Sequence, residues 1–412
     1  MRMMSLSKST SLPDWRLFLA GTCFFAAGAL TARLFGSSHE SYIYRSPRST
    51  LLPRLSDAEK GELPYPPDVL PGARDVDTPY GSIRVYEFGP EDGRKVLLVH
   101  GISTPAVSLG AVANALVDKH GCRVMLFDLF GRGYSDTAND VRHDVRLFTT
   151  QILLVLASSP LSWTGKGSGK FALVGYSLGG GIATTFTSYF GDLVDSLILF
   201  APAGLLRPYH ISRQSRIIYS EGIIPETLLQ RLVKRRLRTP LAPPPPPEEG
   251  SDKTTAARTN VVAVDATQAV QAEVNIESNS RAIISKARPH VTVEKAVSHQ
   301  LDNHPGFVPA FISSIRHGPI RTEHDRWRIV GERLRRQNKQ EEGEGGGKQK
   351  KVLIVLGAKD PIIIRQEVEE DATALLGPEN VEFAVFDAAH DVPIVMGSQV
   401  VDSILDFWKR TD

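Results

Sequence analysis

The stretch Phe171-Ala-Leu-Val-Gly-Tyr-Ser-Leu-Gly-Gly-Gly-Ile-Ala183 constrains this chain more than any other. Four apolar residues, Phe171 to Val174, read as a buried strand, and the small and apolar residues after Ser177 suit a helix. Between them stands Gly175-Tyr-Ser-Leu-Gly179, a G-x-S-x-G pattern in a strand–turn–helix setting. A serine at the tip of so sharp a turn has a strained backbone and an exposed hydroxyl. Neighbouring chain crowds the positions two before and two after it, so both are glycine. The amides that open the following helix point towards Ser177 and favour developing negative charge there.

Apolar runs recur along the chain. Gly81 to Phe88 alternates apolar and polar residues, as a half-exposed antiparallel strand does. Val96–Val99, Val124–Phe127, Leu197–Phe200, Val352–Leu356 and Phe383–Phe386 are continuous runs separated by helical spacing. Such alternation predicts an α/β fold whose mostly parallel sheet carries helices on both faces. A length of 412 residues accommodates one large domain with additions, or two domains. A formal net charge of +2 gives no reason to expect a nucleic-acid partner. The two cysteines, Cys23 and Cys122, are poor candidates for each other, and no Asn-x-Ser/Thr sequon occurs.

Five segments in order, Leu97-Leu-Val-His-Gly101, Phe127-Asp-Leu-Phe-Gly-Arg-Gly-Tyr-Ser135, Val174-Gly-Tyr-Ser-Leu-Gly-Gly180, Leu356-Gly-Ala-Lys-Asp-Pro361 and Ala388-Ala-His-Asp391, carry a family likeness. The chain resembles the α/β-hydrolase superfamily, in the branch of small esterases, monoacylglycerol-type lipases and carbon–carbon bond hydrolases. The resemblance implies a triad in the order Ser, acid, His. Ser177 is its nucleophile, Asp360, in the turn after Val352–Leu356, its acid, and His390, in a loop after the next strand, its base. It further implies an oxyanion hole from the backbone amides of Leu178 and Ile102. His100 is expected to shape the oxyanion turn, and Asp128 and Asp136 to form turns rather than do chemistry. The resemblance implies neither metal nor organic cofactor. An aspartate nucleophile, as epoxide hydrolases and haloalkane dehalogenases need, is excluded by Ser177.

The core is expected in two halves, 76–205 and 351–412, around an insertion at 206–350 that reads as a lid with embellishments. Within it, Glu226 to Arg238 spaces Leu228, Leu229, Leu232 and Val233 on one face amid basic residues. That pattern suits either a lid helix over the active site or an anionic membrane surface. Pro240 to Gly250 reads as a polyproline spacer, residues 251 to about 285 as partly disordered, and Gln340 to Lys350 as a flexible Gly/Glu-rich loop. Phe307 and Phe311 are candidates to line an acyl pocket, with core packing the equal alternative, and Tyr176 is a third candidate substrate contact.

Residues 1–36 read as a membrane anchor or targeting segment. The uncharged run Leu17 to Ala32 spans roughly 24 Å as a helix and reaches about 31 Å if extended from Trp15 to Phe35 with Arg16 and Arg33 snorkelling. That matches the ~30 Å hydrocarbon core. A single-pass anchor is favoured over a cleaved secretory signal, and a mitochondrial presequence stays open. Residues 37–75, rich in Ser, Pro and charge, read as a linker. The activity expected is ester cleavage on a small-molecule or lipid-like apolar acyl substrate. Acyl thioester or carbon–carbon bond cleavage, and a non-catalytic membrane-tethered binding protein, are the alternatives.

Overall fold

In a computed structural model the described residues are 43–164, 169–210, 213–238, 266–274, 279, 281–343 and 348–411, with Thr22, Phe24, Phe25 and Gly28. The chain divides into two units, Met1–Tyr42 and Ile43–Asp412. In the first, the four described residues are helical and exposed. The anchor or targeting segment expected there otherwise lies outside the described residues, as do the polyproline spacer and residues 251–265. Among the described residues no helix is long and apolar enough to cross a membrane.

The second unit is built on eight strands: β1 (Ala73–Val76), β2 (Ile83–Phe88), β3 (Lys95–Val99), β4 (Arg123–Phe127), β5 (Phe171–Tyr176), β6 (Val194–Phe200), β7 (Val352–Gly357) and β8 (Val381–Phe386). They form one sheet in the order β8-β7-β6-β5-β3-β4-β2-β1. From β4 to β8 every pairing is parallel, and β2 joins β4 and β1 antiparallel. Every residue of β5 and β7 is buried, which is why both read as unbroken apolar runs rather than alternating ones. Two groups of helices flank the sheet. In one, α1 (Gly110–His120) packs on α11 (Gly397–Thr411). In the other, α3 (Leu178–Phe190) packs on α2 (Val145–Ala157) and α9 (His324–Gly343), and α9 packs on α10 (Arg365–Leu376).

Between β6 and β7 the insertion supplies α4 (Arg213–Ile218), α5 (Glu226–Arg238), α6 (Ala266–Glu273), α7 (Val293–Asn303), α8 (Phe307–His317) and α9. The structure bounds two expectations about it. Order reaches into the stretch expected to be partly disordered, where α6 forms and Ile284 and Ser285 are buried. The expected loop from Gln340 is still helix as far as Gly343, because α9 continues through Lys339-Gln-Glu-Glu.

The linker expectation fails from residue 43 onwards. Ser46, Tyr65, Val69 and Leu70 are fully buried. The Ser46 amide donates to Asp136 at 2.8 Å, Tyr65 donates to Asp128 at 3.1 Å, and the Tyr65 and Tyr134 rings stack 4.9 Å apart. Its serines and charges cap short turns: Ser56 and Glu59 close a reciprocal capping box at Asp57–Gly61. The composition of a tether here belongs to a strap folded on the core.

Candidate active site

β5 ends at Tyr176 and α3 begins at Leu178, leaving Ser177 alone in the turn with φ 53° and ψ −119°. Few non-glycine residues are held there, and the surrounding bonds show what holds this one. Its amide donates to Phe200 O at 3.0 Å, and its carbonyl accepts from Gly180 and Ala203, both at 2.9 Å. A methyl added at Gly175 would overlap the Gly179 carbonyl, and one at Gly179 would overlap the Val99 carbonyl. The turn closes only with hydrogen at both positions.

His390 Nε2 lies 3.0 Å from Ser177 Oγ, and His390 Nδ1 lies 2.7 Å from Asp360 Oδ2. The structure thus brings the three residues of the expected triad into one hydrogen-bonded line. Asp360 Oδ1 accepts from the amides of Ile362 at 2.8 Å and Ile363 at 2.9 Å. With one oxygen fixed by its own turn, the other points at the imidazole. Burial of His390 opposes its charged form, but the Asp360 carboxylate outweighs this and raises the imidazole pKa above the ordinary value. A proton arriving on Nε2 is therefore stabilised from the far side of the ring.

The other expected amides sit beside this line. Leu178 is the first residue of α3, so its N–H belongs to the donors that a helix leaves without an internal partner. Ile102 N is different: it donates to Glu273 Oε1 at 3.0 Å. Glu273 Oε2 accepts from Ser103 N at 2.9 Å and from Ser103 Oγ at 2.5 Å. The Glu273 side chain is fully buried, and its carboxylate lies so close to Gly101 that a methyl there would overlap it. The charge of Glu273 also offsets the burial of Arg132, which pushes that guanidinium down to about 9. Arg132 donates to Ile102 O at 3.0 Å, so cation and anion grip the same turn from two sides.

His100 shapes that turn. Its Nδ1 lies 2.8 Å from Gly101 O, its Nε2 accepts from Leu129 N at 2.9 Å, and burial pushes its pKa down to about 3. Asp128 and Asp136 accept backbone amides of Ala106, Tyr134, Ser46 and Ser82, and stand apart from Ser177. Burial raises Asp128 to about 6.

Ser177 opens into a cavity of about 410 Å³, walled on the apolar side by Leu178, Leu206, Ile315, Ile320, Ile362 and Ile363. The three residues expected to touch substrate are absent from this wall. Tyr176 is fully buried and packs against His390, with 5.4 Å between ring centroids. Phe307 and Phe311 are fully buried in α8. Their stripe continues at helical spacing to Ile315, and only that end of the helix reaches the cavity. Glu273 was missed as well. It is one acid in an otherwise uncharged stretch from 266 to 276, with no local signal tying it to a turn 171 positions away.

The sheet order, the strained serine between β5 and α3 and the Ser–His–Asp line occur together, and residues 95–220 match the family model for the alpha/beta hydrolase fold. The chain has the α/β-hydrolase fold. Solved structures with a similar fold include the carboxylesterase CesB from Bacillus subtilis, at 13% identity and TM-score 0.51 over 82% of this chain and 90% of that one. A meta-cleavage product hydrolase from Pseudomonas fluorescens is similar at 15% identity and TM-score 0.50, over 82% of this chain and 97% of that one. A membrane phospholipase A described as a bacterial virulence factor is similar at 14% identity and TM-score 0.50, over 96% and 100%. Among curated proteins, an uncharacterised protein of Mycobacterium tuberculosis is 28% identical over 144 residues, 35% of this chain and 39% of the relative. A serine hydrolase-like protein of Danio rerio is 26% identical over 129 residues, 31% of this chain and 37% of the relative. The match thus spans about two fifths of the length of these curated relatives. As an α/β-hydrolase fold, the chain carries its serine where β5 meets α3 and its insertion between β6 and β7.

Proposed function

We propose that this protein is a serine hydrolase that cleaves carboxylic esters of apolar acyl groups. The observation that carries the reading is the line Ser177–His390–Asp360, whose serine opens into a cavity with an aliphatic wall. Ser177 Oγ attacks the ester carbonyl while His390 Nε2 takes its proton, and the Asp360 carboxylate stabilises the resulting imidazolium. The amides of Leu178 and Ile102 receive the charge on the former carbonyl oxygen. His390 then protonates the leaving alcohol, giving an acyl-enzyme. A water that loses its proton to His390 releases the acid and restores Ser177.

A lipid-like substrate is supported by the aliphatic wall and by the exposed side chains of Ile217, Ile223, Leu228 and Leu232 on the insertion. The exposed Arg231, Arg235 and Arg236 share α5 with two of these, a composition that suits an anionic lipid surface.

The test is labelling by a fluorophosphonate probe, wild type against Ser177→Ala, followed by acyl glycerols, acyl thioesters and short aryl esters. Labelling that disappears in Ser177→Ala supports the activated serine; relative kcat/KM across the panel then ranks glycerol esters against thioesters, and chain-length preference separates lipid-like from short-chain esters. Folded wild type that takes no label defeats the reading and leaves a binding protein on a hydrolase fold.

A further inference from the structure

Where the aliphatic cavity opens, its lining changes to arginine. Arg216, Arg316 and Arg321 line both this cavity and an adjoining one of about 440 Å³. Arg316 is paired with Glu226 at 3.0 Å. Arg216 and Arg321 have no carboxylate partner among the described residues. Arg216 donates to Pro208 O at 2.5 Å and Arg321 to Ile315 O at 3.3 Å. Each guanidinium has five N–H donors, so both retain donors for a ligand. They also feel one another: burial lowers the Arg321 pKa and the charge of Arg216 lowers it further. Of the acids nearby, Glu221 is engaged by Arg142 at 3.5 Å and His317 at 3.2 Å. Glu323, on the outer cavity, has its carboxyl pKa raised by burial.

We propose that Arg216 and Arg321 bind a phosphate group on the substrate, so that the preferred ester is an anionic amphiphile with its apolar chain along the aliphatic wall. Two adjacent guanidinium forks match the oxygens of a phosphate, and a dianion relieves the repulsion between them. This deepens the serine-hydrolase reading and rests on it. The experiment compares a 1-acylglycerol with the same 1-acylglycerol carrying a 3-phosphate, on wild type, Arg216→Gln, Arg321→Gln and the double variant. In wild type the phosphate ester shows a KM at least about tenfold lower, and in the double variant that preference falls by about tenfold or more. Inorganic phosphate serves as a further arm. Competition only at concentrations far above the KM of the phosphate ester supports a headgroup held together with its acyl chain. Equal potency of free phosphate, or equal KM values for the two esters in wild type, overturns the proposal. Loss of fluorophosphonate labelling at Ser177 overturns the hydrolase reading instead, so the two failures are distinct.

A separate observation concerns the state of the oxyanion turn. We infer that Glu273 is an internal plug. Its carboxylate takes up the Ile102 amide that a substrate oxygen needs, so α6 has to withdraw it before turnover. A carboxylate bound to two amides and a hydroxyl competes strongly with a neutral ester carbonyl for the same donors. Glu273→Gln removes the charge, while Ser103→Ala keeps the charge but removes the hydroxyl that helps hold the carboxylate on the turn. Both should raise fluorophosphonate labelling and p-nitrophenyl acetate turnover by about tenfold. Should Glu273→Gln fail to fold, Ser103→Ala decides. Folded variants that label no faster than wild type defeat the plug and leave Glu273 as the counter-ion of Arg132. Absence of labelling in every form, wild type included, defeats the underlying hydrolase reading.

Discussion

Ser177, Asp360 and His390 stand on turns at the ends of β5, β7 and β8, whereas Glu273, Arg216 and Arg321 stand on chain inserted between β6 and β7. The first group is held by main chain. Ser177 is locked to Phe200 and Ala203, and Asp360 is bound by the amides two and three residues on. The second group is held by side-chain bonds, Glu273 to Ile102 and Ser103 across the fold, Arg216 and Arg321 to the single carbonyls of Pro208 and Ile315 nearby in the chain. Main-chain bonds within a sheet fix a geometry within narrow limits, while a carboxylate at the end of a flexible side chain can be exchanged for a ligand. On the proposed reading, the difference separates a rigid reacting half from an adjustable half that admits or refuses substrate.

The strongest attack on this division is Asp360→Asn. If the carboxylate acts through His390 on the rigid side, kcat falls by about 10⁴-fold with the fold intact. The pH profile should move as well. Wild-type kcat/KM should fall as pH drops through the His390 pKa, which Asp360 holds above the ordinary histidine value against the effect of burial. Without the carboxylate, burial acts unopposed by its main partner, so the acidic limb shifts to lower pH. A variant with near-wild-type kcat, or an unmoved limb, would show that another group holds the imidazole.

Two glycine substitutions set the halves side by side. At Gly175 an added methyl meets the Gly179 carbonyl and the Ala183 side chain, and neither can retreat without distorting the turn. Gly175→Ala should cost about 3 kcal/mol and lower Tm by several degrees. At Gly101 all three nearest atoms belong to the Glu273 carboxylate, which can swing away. Gly101→Ala should therefore lose less unfolding free energy than Gly175→Ala, its cost set by the hydrogen bonds that Glu273 gives up. Equal losses at the two positions, measured by thermal unfolding, would mean that the insertion is as rigid as the core.

The same division governs what could be read from sequence. Ser177 is conspicuous because the constraints on its turn act within two residues and demand glycine on each side. Asp360 and His390 follow apolar runs at the ends of strands, so their settings are local too. Residues 43–75 were illegible because Ser46 is tied to Asp136 and Tyr65 to Asp128, 90 and 63 positions away. A segment whose order comes from such distant partners keeps the composition of a tether. In α8 the apolar stripe of Phe307, Phe311 and Ile315 was visible, but which end meets the cavity depends on how the helix packs. Glu273 gave no signal, since its partner turn lies far off in sequence and its own helix is short.

The smallest effect is expected at Tyr176, where sequence position suggested a substrate contact and the structure places a buried ring on His390. Its hydroxyl has no hydrogen-bond partner among the described residues, and burial raises its pKa well above the ordinary value. Removing a buried hydroxyl that bonds to nothing sheds a desolvation cost without opening a gap. Tyr176→Phe should therefore leave Tm unchanged or slightly raised and shift kcat/KM by less than about twofold. A tenfold rise in KM for acyl esters would place this ring with the adjustable half of the site. A fall in kcat at constant KM would instead reveal that the hydroxyl, not the ring alone, supports the orientation of His390.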